Sequence, residues 1–180
     1  MADSSEPTRE EKIADALRAA PAYIADSATV VDWDMTTVLR EGSADWTCVP
    51  TPPGTPESAP MCLDPTFLQW FREFEQAETP TIDRIGISYM LMGEVGADFD
   101  HPEAMQPPEG KDWYHVGPHV MVAFPAGTGQ LLKGLGRHTT PGLPHVRPFP
   151  GAEPILIVPI ALPGETACGC ASGCSCGCHD

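Results

Sequence analysis

The hydrophobic pattern of this 180-residue chain first predicts a short amphipathic helix near the N-terminus. Thr8 and Glu11 have the spacing of a capping box, in which each side chain satisfies a backbone N–H of the first helical turn. Apolar residues then recur at helical spacing, and the proline that follows them ends the pattern. These residues are Ile13, Ala16, Leu17, Ala20 and Pro21.

A second helix is predicted to begin at Asp64 and Pro65. Asp is a good N-cap residue, and proline suits the first helical turn because its missing N–H has no partner there. The residues that follow give this helix a wide apolar face: Phe67, Leu68, Trp70, Phe71 and Phe74. We expect it to be the main core helix and to end by Ala77.

Most of the predicted strands come later in the chain. Ile85, Ile87, Tyr89 and Leu91 alternate with smaller residues, which is the period of a strand. Further β-branched or apolar runs predict strands at 28–33, 36–40, 113–124 and 153–162, with Pro159 indicating an edge position or a bulge in the last one. Segments rich in proline and glycine predict long loops at 50–60, 93–112 and 136–154.

Helices that precede most of the strands, without regular βα alternation, predict a single α+β domain with a small, mainly antiparallel sheet. This domain should occupy residues 8–162, with two helices and long Pro-rich loops. Residues 1–7 are expected to be disordered, and residues 163–180 to form a flexible Cys-rich tail.

The charge balance excludes some partners. Twenty-five acidic and ten basic residues give a net charge of −15, whereas nucleic acids and anionic membranes require a basic surface. The chain shows no signal peptide at its start and no apolar run long enough for a membrane span. We therefore expect a cytoplasmic protein, or an exported one if a signal has been removed.

The tail carries the clearest chemistry in the chain. Small residues separate five cysteines, and a histidine follows them: Cys168, Cys170, Cys174, Cys176, Cys178 and His179. Cys-x-Cys spacing lets neighbouring thiolates chelate one soft or borderline ion, as in the metallothionein-like peptides that this tail resembles. The first hypothesis is therefore a non-catalytic metal-binding protein that sequesters Cu(I) or Zn(II), or delivers it to an acceptor protein.

Other interpretations of the tail stay open. It also resembles the core of a ribosomally made peptide that a partner enzyme modifies, with the domain as a folded leader. The cysteines, Thr166, Ser172 and Ser175 would then be substrates. Redox-active thiols and an engineered tag are further alternatives, whereas disulfides between cysteines one residue apart are geometrically unfavourable.

A weaker candidate site lies in the domain itself. His115, His119 and Met121 share parity on the predicted strand, and this ligand set suits copper. Val120, Val122 and Phe124 would then face the core. The alternative is that Met121 belongs to the core and both histidines lie at the surface. An enzyme site near these residues and the loop histidines (His101, His138 and His145) is the least favoured hypothesis.

Cys48 and Cys62 flank a thirteen-residue loop. A disulfide that closes a loop of this size stabilises a protein by about 3 kcal/mol in the chain-entropy model, and the alternative is a pair of buried, reduced thiols. The chain has no phosphate-binding glycine loop, no Gly-x-Ser-x-Gly and no His-Glu-x-x-His motif. This leaves no motif in favour of an enzyme.

Several short motifs distributed along the domain resemble those of a group of bacterial proteins with no assigned function. They include Trp46-Thr-Cys48, Pro60-Met-Cys-Leu-Asp64 and Gly117-Pro-His-Val-Met121. The resemblance implies a shared fold and no mechanism. Members of the group carry a His-x-Met pair in the last strand, where this chain has Ile155-Leu-Ile157, and the Cys-rich tail is an addition to the group's pattern.

Overall fold

The computed structural model describes residues 6–98, 101, 104, 106–137 and 142–160. Helix α1 (Arg9–Leu17) begins at the predicted capping box, in which the Glu11 carboxylate accepts from the Thr8 N–H at 2.8 Å. The Thr8 hydroxyl accepts from the Glu11 N–H at 3.3 Å. A one-turn helix that the sequence does not predict, α2 (Ala22–Ala25), follows Pro21.

Helix α3 (Pro65–Glu75) confirms the second prediction and is tied to the sheet at its first turn. The Asp64 carboxylate accepts from the Phe67 N–H at 2.7 Å, which caps the helix. Its other oxygen accepts from the Ile87 N–H at 2.9 Å. One side chain therefore fixes both the start of α3 and its position against the neighbouring strand.

The described residues form ten strands in two sheets. The strands are β1 (Thr29–Val31), β2 (Val38–Arg40), β3 (Thr47–Val49), β4 (Met61–Leu63), β5 (Gly86–Met90), β6 (Glu94–Gly96), β7 (Tyr114–Val116), β8 (His119–Ala123), β9 (His145–Arg147) and β10 (Ile155–Pro159). Eight of them form one sheet in the order β2-β1-β3-β4-β5-β8-β10-β9, while β6 and β7 pair separately. All pairs are antiparallel except β1 with β3. The predicted α+β class is confirmed, and a short 3₁₀ helix (Gly129–Leu132) follows β8.

Helices cover both faces of the large sheet. Helix α3 packs Phe67 and Trp70 against one face, in a core that includes Met121 and Ile157. Helix α1 packs on the other face, over β1 to β4. The second core contains Cys48 and Cys62, which are opposite each other in β3 and β4 and form a disulfide with their Cα atoms 4.0 Å apart. Of the two alternatives for Cys48 and Cys62, a disulfide or a pair of reduced thiols, the structure shows the disulfide.

The strand predictions need several corrections, and strands β3 and β4 have no counterpart among the predicted strands. The predicted strand 113–124 is divided at Gly117 and Pro118 into β7 and β8. Strands β6 and β9 occur within segments predicted to be loops, because three residues are too few to show a period. Strand β10 lies inside the sheet, and Pro159 extends past the last residue paired with β9.

No helix in the described part of the chain is long and apolar enough to cross a bilayer.

The predicted orientation of β8 is also wrong. His119, Met121 and Ala123 are buried on the α3 face, whereas Val120 and Val122 are half-buried on the opposite face. A sheet that is covered on both faces carries apolar residues at both parities. The alternation therefore shows that this segment is a strand, but it does not show which face meets the main core.

Candidate functional site: an aromatic cavity with a buried ion pair

A cavity of about 460 Å³ lies between α3 and the sheet. Its volume falls within the range typical of small-molecule sites, and such sites are mostly apolar with a few polar groups. Ten aromatic and methionine side chains line it, together with smaller residues: Trp33, Phe67, Trp70, Phe71, Phe74, Trp113, Phe149, Met61, Met90 and Met121.

The helical period of α3 builds one wall of this cavity. Phe67, Trp70, Phe71 and Phe74 recur at intervals of three and four residues, so they share one face of the helix. The rings of Trp70 and Phe74 are stacked with their centroids 5.3 Å apart, and the Phe149 ring meets both edge-on at 5.1 Å. This interlocked set keeps the wall in place without filling the cavity.

Two charged residues that are 53 positions apart in the sequence meet at the polar end of the cavity. Glu94 comes from β6 and Arg147 from β9. Nη1 of Arg147 lies 2.8 Å from Oε1 of Glu94 and donates to Oε2 at 2.9 Å. The side chains are only 7% and 12% exposed, so the pair is effectively desolvated.

Tyr114 completes this polar end. Nη2 of Arg147 donates to the Tyr114 hydroxyl, and the guanidinium carbon lies 5.3 Å from the centre of the Tyr114 ring. Burial is the main cause that raises the pKa of Tyr114 to about 12, so the phenol stays neutral. Gly96 is opposite Tyr114 in the β6–β7 pair, and a Cβ at this position would overlap the ring.

His119 lies behind Glu94 and is fully buried. Its Nδ1 is 2.7 Å from the Gly117 carbonyl, so Nδ1 carries the proton and donates it to that oxygen. Burial lowers the pKa of His119, which keeps the ring neutral. Nε2 then presents a lone pair toward Oε1 of Glu94 at 3.7 Å, and it has no hydrogen bond among the described residues.

The charge state of Glu94 follows from its neighbours. Burial on its own would raise the pKa of this carboxyl, but the Arg147 guanidinium beside it holds the pKa below its ordinary value. Burial opposes the charge on Arg147 as well, and Glu94 overcomes that effect and raises the pKa of Arg147. Both side chains are therefore charged, and the net charge of the pair is zero. It can orient a polar group of a ligand at the end of an apolar cavity.

The structure separates the histidines that the sequence places on one strand face. His115 lies in β7 and is exposed. Its Nδ1 is 3.6 Å from Oε2 of Glu57. His119 and Met121 lie in β8 and face the main core. The alternative in which Met121 is a core residue is confirmed. The expected surface position is confirmed for His115 and is wrong for His119.

One of the loop histidines does converge on this region. His145 begins β9, where it is buried and pairs with Ile157 of β10. It interacts electrostatically with both Glu94 and His119. His101 is exposed, and His138 lies outside the described residues.

The predicted metal ligands of the tail also lie outside the described residues, at 168, 170, 174, 176, 178 and 179. Within the residues that the structure describes, no group of three or more His, Cys, Asp or Glu side chains could hold a metal ion. Around His119 and Glu94, the positive charge comes from Arg147 instead.

Sequence reasoning missed Glu94, Tyr114 and Arg147. Glu94 and Arg147 are 53 positions apart, each beside a proline- or glycine-bearing segment, so neither shows a local pattern. The aromatic face of α3 was a clear signal. It predicts a core helix, and the same residues line the cavity.

Comparisons with protein-family models, with curated proteins and with solved structures find no match.

Proposed function

We propose that the folded domain is a binding domain for a small, largely apolar molecule. The observation that carries this proposal is the cavity of about 460 Å³, whose walls are aromatic and thioether groups and whose inner end holds the Glu94–Arg147 pair. Contact with aromatic and methionine side chains would supply the affinity, while the ion pair would orient the ligand. The cavity is wide enough for one or two aromatic rings.

A neutral fluorescent probe, N-phenyl-1-naphthylamine, tests this proposal in the full-length protein. Its emission should increase on saturable, one-to-one binding. Thr55 lines the cavity, and Thr55→Trp should block the site and reduce the affinity by about tenfold or more, since a ring would occupy the space of the probe. Ser43→Trp is the control because Ser43 is exposed and does not line the cavity. Absence of saturable binding, or equal affinity in both variants, would contradict the proposal.

The tail supports a second candidate function, which is independent of the cavity. Five cysteines and His179 within residues 168–180 favour thiolate binding of Cu(I) or Zn(II), for sequestration or delivery to an acceptor protein. This binding requires deprotonated thiols, so it should release protons and weaken at acid pH.

Native mass spectrometry of the full chain tests the tail. Protein from cells supplied with copper or zinc should carry metal, and replacement of the five tail cysteines by serine should abolish the added mass. Protein that stays free of metal under these conditions would contradict metal binding. A covalently altered C-terminal fragment from the native host would favour the modified-peptide precursor instead.

A further inference from the structure

Among the described residues of the cavity wall, Glu75 is the one charged residue without a partner. It is the last residue of α3, at the mouth of the cavity. Glu94 and Arg147 neutralise each other at the inner end, whereas no ion pair or hydrogen bond to Glu75 occurs among the described residues. Partial burial raises the pKa of the Glu75 carboxyl, although the residue remains exposed to solvent.

The position of Glu75 at the end of a helix adds to this effect. The last carbonyl groups of a helix carry a partial negative charge, which disfavours an anion and favours a cation. Arg72 in the same turn contributes positive charge to the helix end, but it forms no ion pair with Glu75 among the described residues, and its Nη2 donates to the Met35 carbonyl at 3.1 Å. A positive charge at the mouth would therefore compensate both the carboxylate and the helix end.

Aromatic rings line the same cavity as Glu75. Phe71 lies one helical turn before Glu75, and the ring of Trp33 meets the Phe71 ring edge-on with centroids 5.9 Å apart. Trp113 also lines the cavity. The faces of tryptophan and phenylalanine rings attract cations, most strongly where water is excluded. A carboxylate beside aromatic faces is the chemistry that recognises organic ammonium ions.

An anionic ligand fits this cavity poorly. Arg147, the only cation among the described residues of its wall, is already paired with Glu94, and the protein has a net charge of −15. A carboxylate or phosphate would be repelled by Glu75 at the entrance and would have to displace a buried ion pair at the inner end.

We infer that the ligand is an organic ammonium ion, a protonated amine with an aromatic or alkyl body, whose charged end lies at Glu75 between Trp33, Phe71 and Trp113. The body of the ligand extends inward toward the methionines. This inference rests on the proposed ligand-binding function and specifies its chemical class.

Three probes with the same phenyl body but different charge test the inference: phenethylammonium, 2-phenylethanol and 3-phenylpropionate. Calorimetric titration of the full chain at pH 7 and low ionic strength should give the tightest binding for the ammonium and the weakest for the carboxylate. The ammonium should bind at least about fivefold more tightly than the alcohol, as expected for one partly screened ion pair with cation–π contacts.

Glu75→Gln and Glu78→Gln form the matched pair of variants. Glu75→Gln should lower the affinity for phenethylammonium, so that it comes to within about twofold of the affinity for 2-phenylethanol. Glu78→Gln removes the same charge from an exposed residue that does not line the cavity, and it should leave the fivefold preference intact.

The outcomes separate the two proposals. If the alcohol binds and the ammonium gains nothing over it, or if both variants reduce the preference equally, the inference fails while the binding function stands. If none of the three probes binds while N-phenyl-1-naphthylamine does, the inference fails and the binding function stands; if that probe does not bind either, both proposals fail.

Discussion

Arg147 and Glu94 form an ion pair inside the protein, with Nη1 of the arginine 2.8 Å from one carboxylate oxygen and 2.9 Å from the other. Desolvation of two charges is costly, and only close mutual contact offsets it. The pair also joins the small sheet to the last hairpin of the large sheet, since Glu94 lies in β6 and Arg147 in β9. It therefore sets the shape of the polar end of the cavity.

Removal of one member should destabilise the protein far more than removal of both. Glu94→Leu or Arg147→Met alone leaves an uncompensated buried charge and should cost about 3 kcal/mol of unfolding free energy. The double variant leaves no charge and should recover most of that loss. Urea denaturation measures the three values. Additive losses in the double variant would show that the pair acts through packing and not through charge.

Gly96→Ala should loosen the polar end in a different way. The added Cβ would overlap the Tyr114 ring, so the ring must move away from Arg147. We expect a loss of about 1–2 kcal/mol, which is typical of overpacking. Gly136→Ala is the control because no atom lies within 4 Å of a Cβ built at that position. Equal stability of the two variants in thermal unfolding would count against the observed contact.

Acidification should reduce stability in two ranges of pH. The pKa of His119 is lowered in the folded protein, so the unfolded chain takes up this proton more readily, and stability falls as the pH drops below about 6.5. The pKa of Glu94 is also lowered, and its contribution is lost at lower pH, below about 4.5.

Two histidine variants test the first range. His119→Gln removes the titrating ring and should make the decline of melting temperature between pH 7.5 and 5 shallower. His115→Gln should leave the decline unchanged, because His115 lies on the surface in the small sheet. If both variants follow the wild-type decline, His119 is not the source of this pH dependence.

Loss of the Cys48–Cys62 disulfide should lower stability by about 3 kcal/mol, the value expected for a loop of this length. The double variant Cys48→Ala with Cys62→Ala separates this bond from the tail cysteines, which stay intact. Its melting temperature should no longer respond to a reducing agent, whereas that of the wild-type protein should fall. A wild-type protein that is insensitive to reduction would contradict the assignment.

The sequence predicts those parts of the fold that depend on local chemistry. Both long helices begin where Thr8 and Asp64 provide caps, because a cap acts within three residues. The strand faces are not predictable from alternation, since α1 and α3 cover opposite faces of the sheet and apolar residues occur at both parities.

The candidate site is less predictable for a related reason. Glu94 and Arg147 meet only after β6 and β9 have formed, and each of these strands has three residues. The cavity itself results from how aromatic residues of α3 pack against distant elements, such as Phe149. Sequence periodicity identifies those residues as core but cannot show that a volume beside them stays open.

Methionine methyl resonances provide the most direct test of the central claim that the cavity binds a small apolar molecule. Met61, Met90 and Met121 line the cavity, whereas Met92 is 37% exposed and does not. Titration of protein labelled with ¹³C at the methionine methyl groups with N-phenyl-1-naphthylamine should shift the three cavity signals in a saturable way and leave the Met92 signal in place. Three unmoved cavity signals, or a shift of Met92 alone, would contradict the account.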